Sequence, residues 1–160
     1  MAANGFDWRY NVSGGRPLIL TFLMADTETF TRGDVMNVAS GEVDLAATGD
    51  AALAGIFVGP ENPDDAVDGK PGTVAGTDST TIVKVIVNPD AVYADGNDTS
   101  ARLAGATLDI SGATGAQTLA ASSNTEFVVI DRKRQSSDET RVMICSSAHS
   151  FAKVDRKSVV

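Results

Sequence analysis

The residues able to do covalent or metal chemistry are few. The 160-residue chain holds one cysteine, Cys145, and one histidine, His149. A thiol close to an imidazole is the raw material of a nucleophile–base pair. No Gly-x-Ser-x-Gly elbow or comparable local signature surrounds this one. Cys145 ends the apolar run RVMIC, where a thiol packs as a small, inert hydrophobe. His149 lies in SSAHSF near the chain end and reads as a surface or hydrogen-bonded histidine. A single His is too few for a His-rich zinc site within one chain. A single Cys allows neither an internal disulfide framework nor a multi-Cys cage.

Two acidic groups come next: Asp64, Asp65 and Asp68 in PENPDDAVDGK, and Asp95 with Asp98 in ADGND. Clustered carboxylates hold hard cations such as Ca²⁺. The spacing does not match an EF-hand loop, and Asp beside Gly and Pro is turn chemistry. Gly69-Lys70-Pro71 fails as a phosphate-binding loop, and no G-x-G-x-x-G follows a strand. The remaining acids fall in loops, and aromatic residues make up only 6% of the chain, which leaves little to stack a sugar. The expectation is a protein without catalytic residues, metal or cofactor.

The elements that would carry these residues read as strands. Residues 30–59, FTRGDVMNVASGEVDLAATGDAALAGIFVG, hold short apolar runs separated by Gly-Asp, Ser-Gly and Thr-Gly-Asp. That punctuation predicts a tight β-meander, and Gly33, Gly41, Gly49 and Gly55 argue against a helix. Residues 79–87, STTIVKVIV, alternate Thr81, Val83, Val85 and Val87 on one face with Ile82, Lys84 and Ile86 on the other, which predicts a central strand. Residues 17–31 could form one long, bent strand. Residues 60–78 read as a loop, with three of the five prolines. TLDI and QTLAASS read as short strands, and FVVI with RVMIC as a hairpin bearing a charged loop. No convincing helix is found. The fold class is all-β: a small β-barrel or sandwich of about eight to ten short strands with an extended N-terminal arm. The domain reading is an arm over 1–16, a β-barrel domain over 17–152 and a C-terminal tail over 153–160.

Size and charge constrain partners. A chain of this length fits one domain and buries enough surface to need no covalent staples. The net charge is −8, unevenly spread: residues 127–160 carry seven Lys/Arg against four acids, net +3, leaving −11 for the rest. The acidic body argues against direct nucleic-acid binding. Opposite-charge zones fit docking on something large, contact with a sister subunit, or simply a solvated surface. The longest apolar run, residues 17–25, is too short to span a membrane, and no basic n-region precedes it, so a soluble protein is expected to stay where it is made. Trp8 and Tyr10 in the polar first segment either anchor on a partner or fold back over the barrel.

The stretch GDVMNVASGEVDLAATGDAALAGIFVG resembles the capsid decoration, or cement, proteins of tailed bacteriophages. Members of that group often show a Gly-Asp-Val strand, a short turn, and an Ala-rich stretch ending in a Gly-Ile/Val strand. Gly33-Asp34-Val35, Asp50-Ala51 and Gly55-Ile56 match, and TIVKVIV and GATLDI continue the pattern more loosely. The aromatic first segment and the acidic 60–78 loop depart from the compact cement pattern. The alternatives are another virion part, such as a head fibre or tail protein, or a ligand-binding or hydrolytic barrel. A biotinyl or lipoyl carrier barrel fails because the turn Ala39-Ser40-Gly41-Glu42 offers no Lys.

The resemblance implies a virion protein, made in the host cytoplasm, on the outer surface of the capsid. It would bridge subunits of the major capsid protein, clustered as trimers or dimers, with no nucleic acid or membrane contact. It implies partner-binding roles for Trp8, Tyr10 and Phe30 as anchors and for Leu18, Leu20 and Phe22 in a strand that adds to a neighbour's sheet.

Overall fold

A computed structural model describes residues 5–76, 80–98, 100–121, 123–131 and 139–151. The proposed tail over 153–160 and the charged segment 132–138 lie outside the described residues. The described chain is nearly all strand, in agreement with the all-β reading. It has fourteen strands, more than the eight to ten expected, because several are only two to four residues long.

Five strands close a barrel in the order β2-β5-β4-β6-β9: β2 (Ile19–Met24), β4 (Val35–Ala39), β5 (Glu42–Leu45), β6 (Leu53–Pro60) and β9 (Ile82–Ile86). The β4–β5 hairpin turns on Ser40 and Gly41, at φ 53° and 84°. Two successive positive φ values give the hairpin turn whose twist suits flanking strands, and glycine tolerates the second without strain. The expected meander is corrected in one respect: β6 pairs with β4 rather than with β5. β9 sits between β2 and β6, which makes it central, as its two apolar faces predict. Met24, Met36, Val43, Phe57, Val83 and Val85 fill the barrel.

A six-stranded sheet packs against the barrel in the order β1-β10-β14-β13-β11-β12. Its strands are β1 (Phe6–Asn11), β10 (Ala91–Asp95), β11 (Thr107–Ser111), β12 (Thr118–Ala121), β13 (Phe127–Asp131) and β14 (Thr140–Ile144). The expected hairpin of FVVI with RVMIC is present as β13–β14. Val35, Leu53, Ile56 and Ile86 from the barrel join Phe6, Tyr93, Ile110, Phe127 and Val142 from the sheet in a second core.

Of the two readings of the first segment the folded-back one is seen, and the loop reading of residues 60–78 is overturned. Residues 6–11 are not a free arm: β1 pairs with β10, Phe6 is buried, and its ring stacks on Phe127 at 5.4 Å. Burying Phe6 contributes about 1.5–3 kcal/mol, and pairing with β10 and the packing of Trp8 on the shared core help offset the cost of ordering the segment. Residues 60–78 are not a plain loop either. They hold a 3₁₀ turn (Pro63–Asp65), β7 (Ala66–Val67) and β8 (Lys70–Ala75), which form a three-stranded sheet with β3 (Thr29–Thr31) in the order β3-β8-β7. The expected long strand over 17–31 is thereby split into β2 and β3, with Thr27 at φ 64° between them. Phe30 and Val74 of the small sheet lie in the barrel core.

Candidate docking surface

The chemistry-bearing residues of the sequence do not assemble. His149 is fully buried, beyond what its surface reading allowed, because it forms a parallel bridge to Leu53 at the barrel–sheet junction. Its Nδ1 accepts the Phe151 N–H at 3.1 Å, which places the ring proton on Nε2. The His149 N–H donates to the Cys145 carbonyl at 3.0 Å, a backbone contact. Burial pushes the Cys145 thiol up, away from the thiolate that a nucleophile requires.

The acidic groups are also accounted for. Asp64, Asp65 and Asp68 lie exposed on the small sheet's connections, where the Asn62 side chain accepts the Asp64 N–H. Asp95 accepts N–H bonds from Asn97 at 2.8 Å and Leu119 at 2.9 Å, and the Thr118 hydroxyl at 2.8 Å. Asp98 meets Arg102 at 3.1 Å and Thr140 Oγ1 at 2.8 Å. Burial alone would raise Asp98, but its bonds from Arg102, Thr140 and Ser100 outweigh it and hold the carboxyl below the usual range. Among the described residues no three His, Cys, Asp or Glu side chains converge as metal ligands.

Further buried carboxylates, which no local pattern in the sequence announces, join the two layers. Asp34, in the turn before β4, accepts the N–H groups of Thr31 and Gly115, each at 2.8 Å, and the Thr114 hydroxyl. Glu126, before β13, accepts from Gly49 at 2.9 Å and Ile110 at 2.6 Å. Gln117 spans the same junction, accepting from Val35 at 2.6 Å and donating to the Ala46 carbonyl at 2.8 Å. Burial raises Asp34, Asp95 and Glu126 above the ordinary carboxylate range, despite these donors. Their geometry is that of structural pins, with each acceptor occupied by backbone.

What the surface does present is apolar. Leu18, Ile19, Leu20 and Leu23 are 52%, 44%, 36% and 40% exposed, on and just before a single strand, β2. Large apolar side chains exposed together, rather than singly, mark an interaction surface. The strand's edge is open as well. Among the described residues, β2 pairs with β5 only at Leu23 and Met24, because the β4–β5 hairpin ends at Ser40-Gly41. The Ile19–Phe22 backbone on that side extends past the hairpin tip, and such an edge is a template for a further strand.

The sequence-derived partner residues therefore divide. Leu18 and Leu20 are exposed on this strip. Phe22 is half-buried and packs on Phe151, ring centres 6.0 Å apart. Trp8 is half-buried, its Nε1 donating to Asn11 Oδ1 at 3.1 Å, and Tyr10 lies exposed on β1. Phe30 is a correction: it is completely buried, edge-on to Phe57 at 5.6 Å, and cannot anchor a partner. Ile19 and Leu23 were missed, although both belong to the apolar run over 17–25 that should have flagged them.

Beside the strip, a cleft of about 550 Å³ opens between β1 and the outer face of the barrel. Trp8, Pro17 and Ile19 form its apolar walls, and Asp7, Arg9, Arg32 and Lys84 supply charge. Arg9 is engaged with Glu139 at 2.7 Å and Asp7 at 3.9 Å. Neither Arg32 nor Lys84 has an ion-pair partner among the described residues.

The chain matches no protein-family model, no curated protein and no solved structure.

Proposed function

We propose that the chain is a non-enzymatic virion protein that docks on the outside of a tailed-phage capsid and stabilises it by bridging major capsid protein subunits. The observation that carries this reading is β2, a strand with an open edge over Ile19–Phe22 and exposed apolar side chains to either side of it, Ile19 and Leu23 on one face and Leu18 and Leu20 on the other. Backbone pairing along such an edge gives affinity, while its alternate side chains give specificity. The resemblance of residues 30–59 to cement proteins supplies the partner. The rigid, doubly cored β-body suits the task, since little ordering entropy is lost when it docks. Weak contacts repeated over a shell add by multivalency.

The test is co-sedimentation of the purified protein with expanded capsids. Binding should saturate at a fixed ratio to capsid subunits, and turnover of model ester, phosphate and glycoside substrates should stay at background. The double variant Leu18→Asp, Leu23→Asp alters two exposed positions and should keep its fold, yet lose capsid binding by tenfold or more. Protein that never co-sediments, or a variant that binds like the parent, would count decisively against the reading.

A further inference from the structure

We infer that the cleft between β1 and the barrel binds an extended, acidic segment of a partner protein. The inference rests on the reading of the chain as a docking protein and assigns it a second contact, which adjoins the β2 surface and shares Ile19 with it. Three observations converge on that occupant. The first is charge: Arg32 and Lys84 line the cleft and have no ion-pair partner among the described residues, in a chain of net charge −8. Lys84 is half-buried in the middle of β9 and lines the cleft, which holds its stem against the barrel with the ammonium toward the opening. A carboxylate from outside would supply that partner.

The second is the edge. β1 ends the six-stranded sheet, and among the described residues its outer side makes one backbone hydrogen bond to the barrel, from the Phe6 N–H to the Gly33 carbonyl at 2.8 Å. By strand alternation the Trp8 N–H points to that same open side, ready to pair with an added strand. The third is shape: the Trp8 ring, fixed by its bond to Asn11, faces an apolar wall with Ile19. A segment in extended form places alternate residues on opposite faces. Acidic side chains at every second position would meet Arg32 and Lys84, and apolar ones between them would meet Trp8 and Ile19. A polyanionic nucleic acid fits less well, because its charge runs continuously along the backbone, whereas the cleft offers two cations between apolar walls.

Trp8 is the sole tryptophan and reports directly on the cleft. The full chain is titrated with a capped seven-residue peptide of alternating Glu and Val, with the same peptide carrying Gln for Glu, and with a single-stranded oligonucleotide. The Glu peptide should shift Trp8 emission saturably, with an affinity that falls as salt rises. The Gln peptide, and the protein variant Arg32→Gln, Lys84→Gln, should each bind about tenfold more weakly or worse. The single variant Arg32→Gln alters an exposed side chain and serves as the folding control. No response to the Glu peptide overturns the inference, as does an equal response to the Gln peptide or preferential binding of the oligonucleotide. A Trp8 shift that depends on protein concentration alone overturns it in favour of a second copy as occupant. A parent chain that binds capsids but not the Glu peptide rejects the cleft alone, whereas the β2 variant tests the capsid reading separately.

Discussion

The carboxylate of Asp34, at the entrance to a barrel strand, accepts the backbone N–H of Gly115, in the β11–β12 connection of the facing sheet, at 2.8 Å. A second oxygen takes the Thr31 N–H at 2.8 Å and the Thr114 hydroxyl. One fully buried side chain thus fixes the turn before β4 and a distant loop at once. Removing it leaves two part-buried N–H groups without their acceptor. Asp34→Ala should destabilise the fold by about 3–5 kcal/mol, and Asp34→Asn, which keeps one acceptor, by about 1–3 kcal/mol. Urea unfolding of both variants measures the difference; equal losses would show that the cavity, not the hydrogen bonds, sets the effect.

The pH dependence follows from the same carboxylates. Burial raises Asp34 and Asp95 from 3.8 and Glu126 from 4.5. A raised acid holds its proton more tightly in the folded state. The stability contribution of these groups is therefore fully present below those ordinary values and is lost as pH rises through the folded ones. Asp98 and Asp90 are lowered, so their contribution is present above 3.8 and lost as pH falls through their folded values. The thermal midpoint should accordingly rise as pH is lowered from neutrality toward 4.5 and 3.8, and fall again as pH drops further, through the folded values of Asp90 and Asp98. A midpoint that falls steadily from pH 7 downward would contradict the assignment of the three buried acids.

Gly55 has the tightest backbone contact of the barrel. At φ 147° it lies against β9, and a Cβ added there would stand 1.7 Å from the Ile86 carbonyl oxygen. That oxygen also receives the buried Tyr93 hydroxyl at 3.4 Å, so it cannot withdraw without opening the sheet–barrel junction. Gly55→Ala should cost about 3 kcal/mol or more and lower soluble yield. Gly41→Ala is the contrast: its φ is 84°, but open space surrounds the position, so only the backbone strain of about 1 kcal/mol applies. Comparable melting temperatures for the two would show that strain, not crowding, dominates at Gly55.

Much of this architecture could be read from local pattern, because strand alternation and turn chemistry are local. TIVKVIV announced a central strand, and Ser40-Gly41 announced its hairpin turn. Pairing partners are not local. Nothing near Leu53 tells it to meet Val35's strand rather than Leu45's. KPGTVA hides a strand because Pro71 and Gly72 imitate a loop, and β8 survives them by pairing with β3 and β7. The resemblance implied an anchor at Phe30, an aromatic in the leading segment that would lie across a neighbour. Its burial depends on Phe57, 27 positions later. The buried acids were illegible for the same reason, since Asp34 depends on Gly115 for its role. The apolar strip was legible in kind, as part of the longest apolar run, but its exposure depends on where the β4–β5 hairpin stops.

The first strand supplies the sharpest contrast between a tethered arm and a built-in element. If residues 6–11 served only to reach a partner, their removal would leave folding unchanged. Phe6 is instead 1% exposed, its ring parallel to Phe127 within 9°, and β1 covers the edge of β10. Phe6→Ala should destabilise by about 3–5 kcal/mol, the range for emptying a buried aromatic site, with the stacked pair adding to the loss. Trp8→Ala, at a half-buried position, should cost less, about 1–2 kcal/mol, while removing one wall of the cleft. Deleting residues 1–11 should expose β10 and yield a protein that aggregates or melts far below the parent, measured by circular dichroism and size-exclusion chromatography. A deletion variant that stays monomeric with an unchanged melt would mean that β1 detaches freely, and the leading segment would again be a candidate arm.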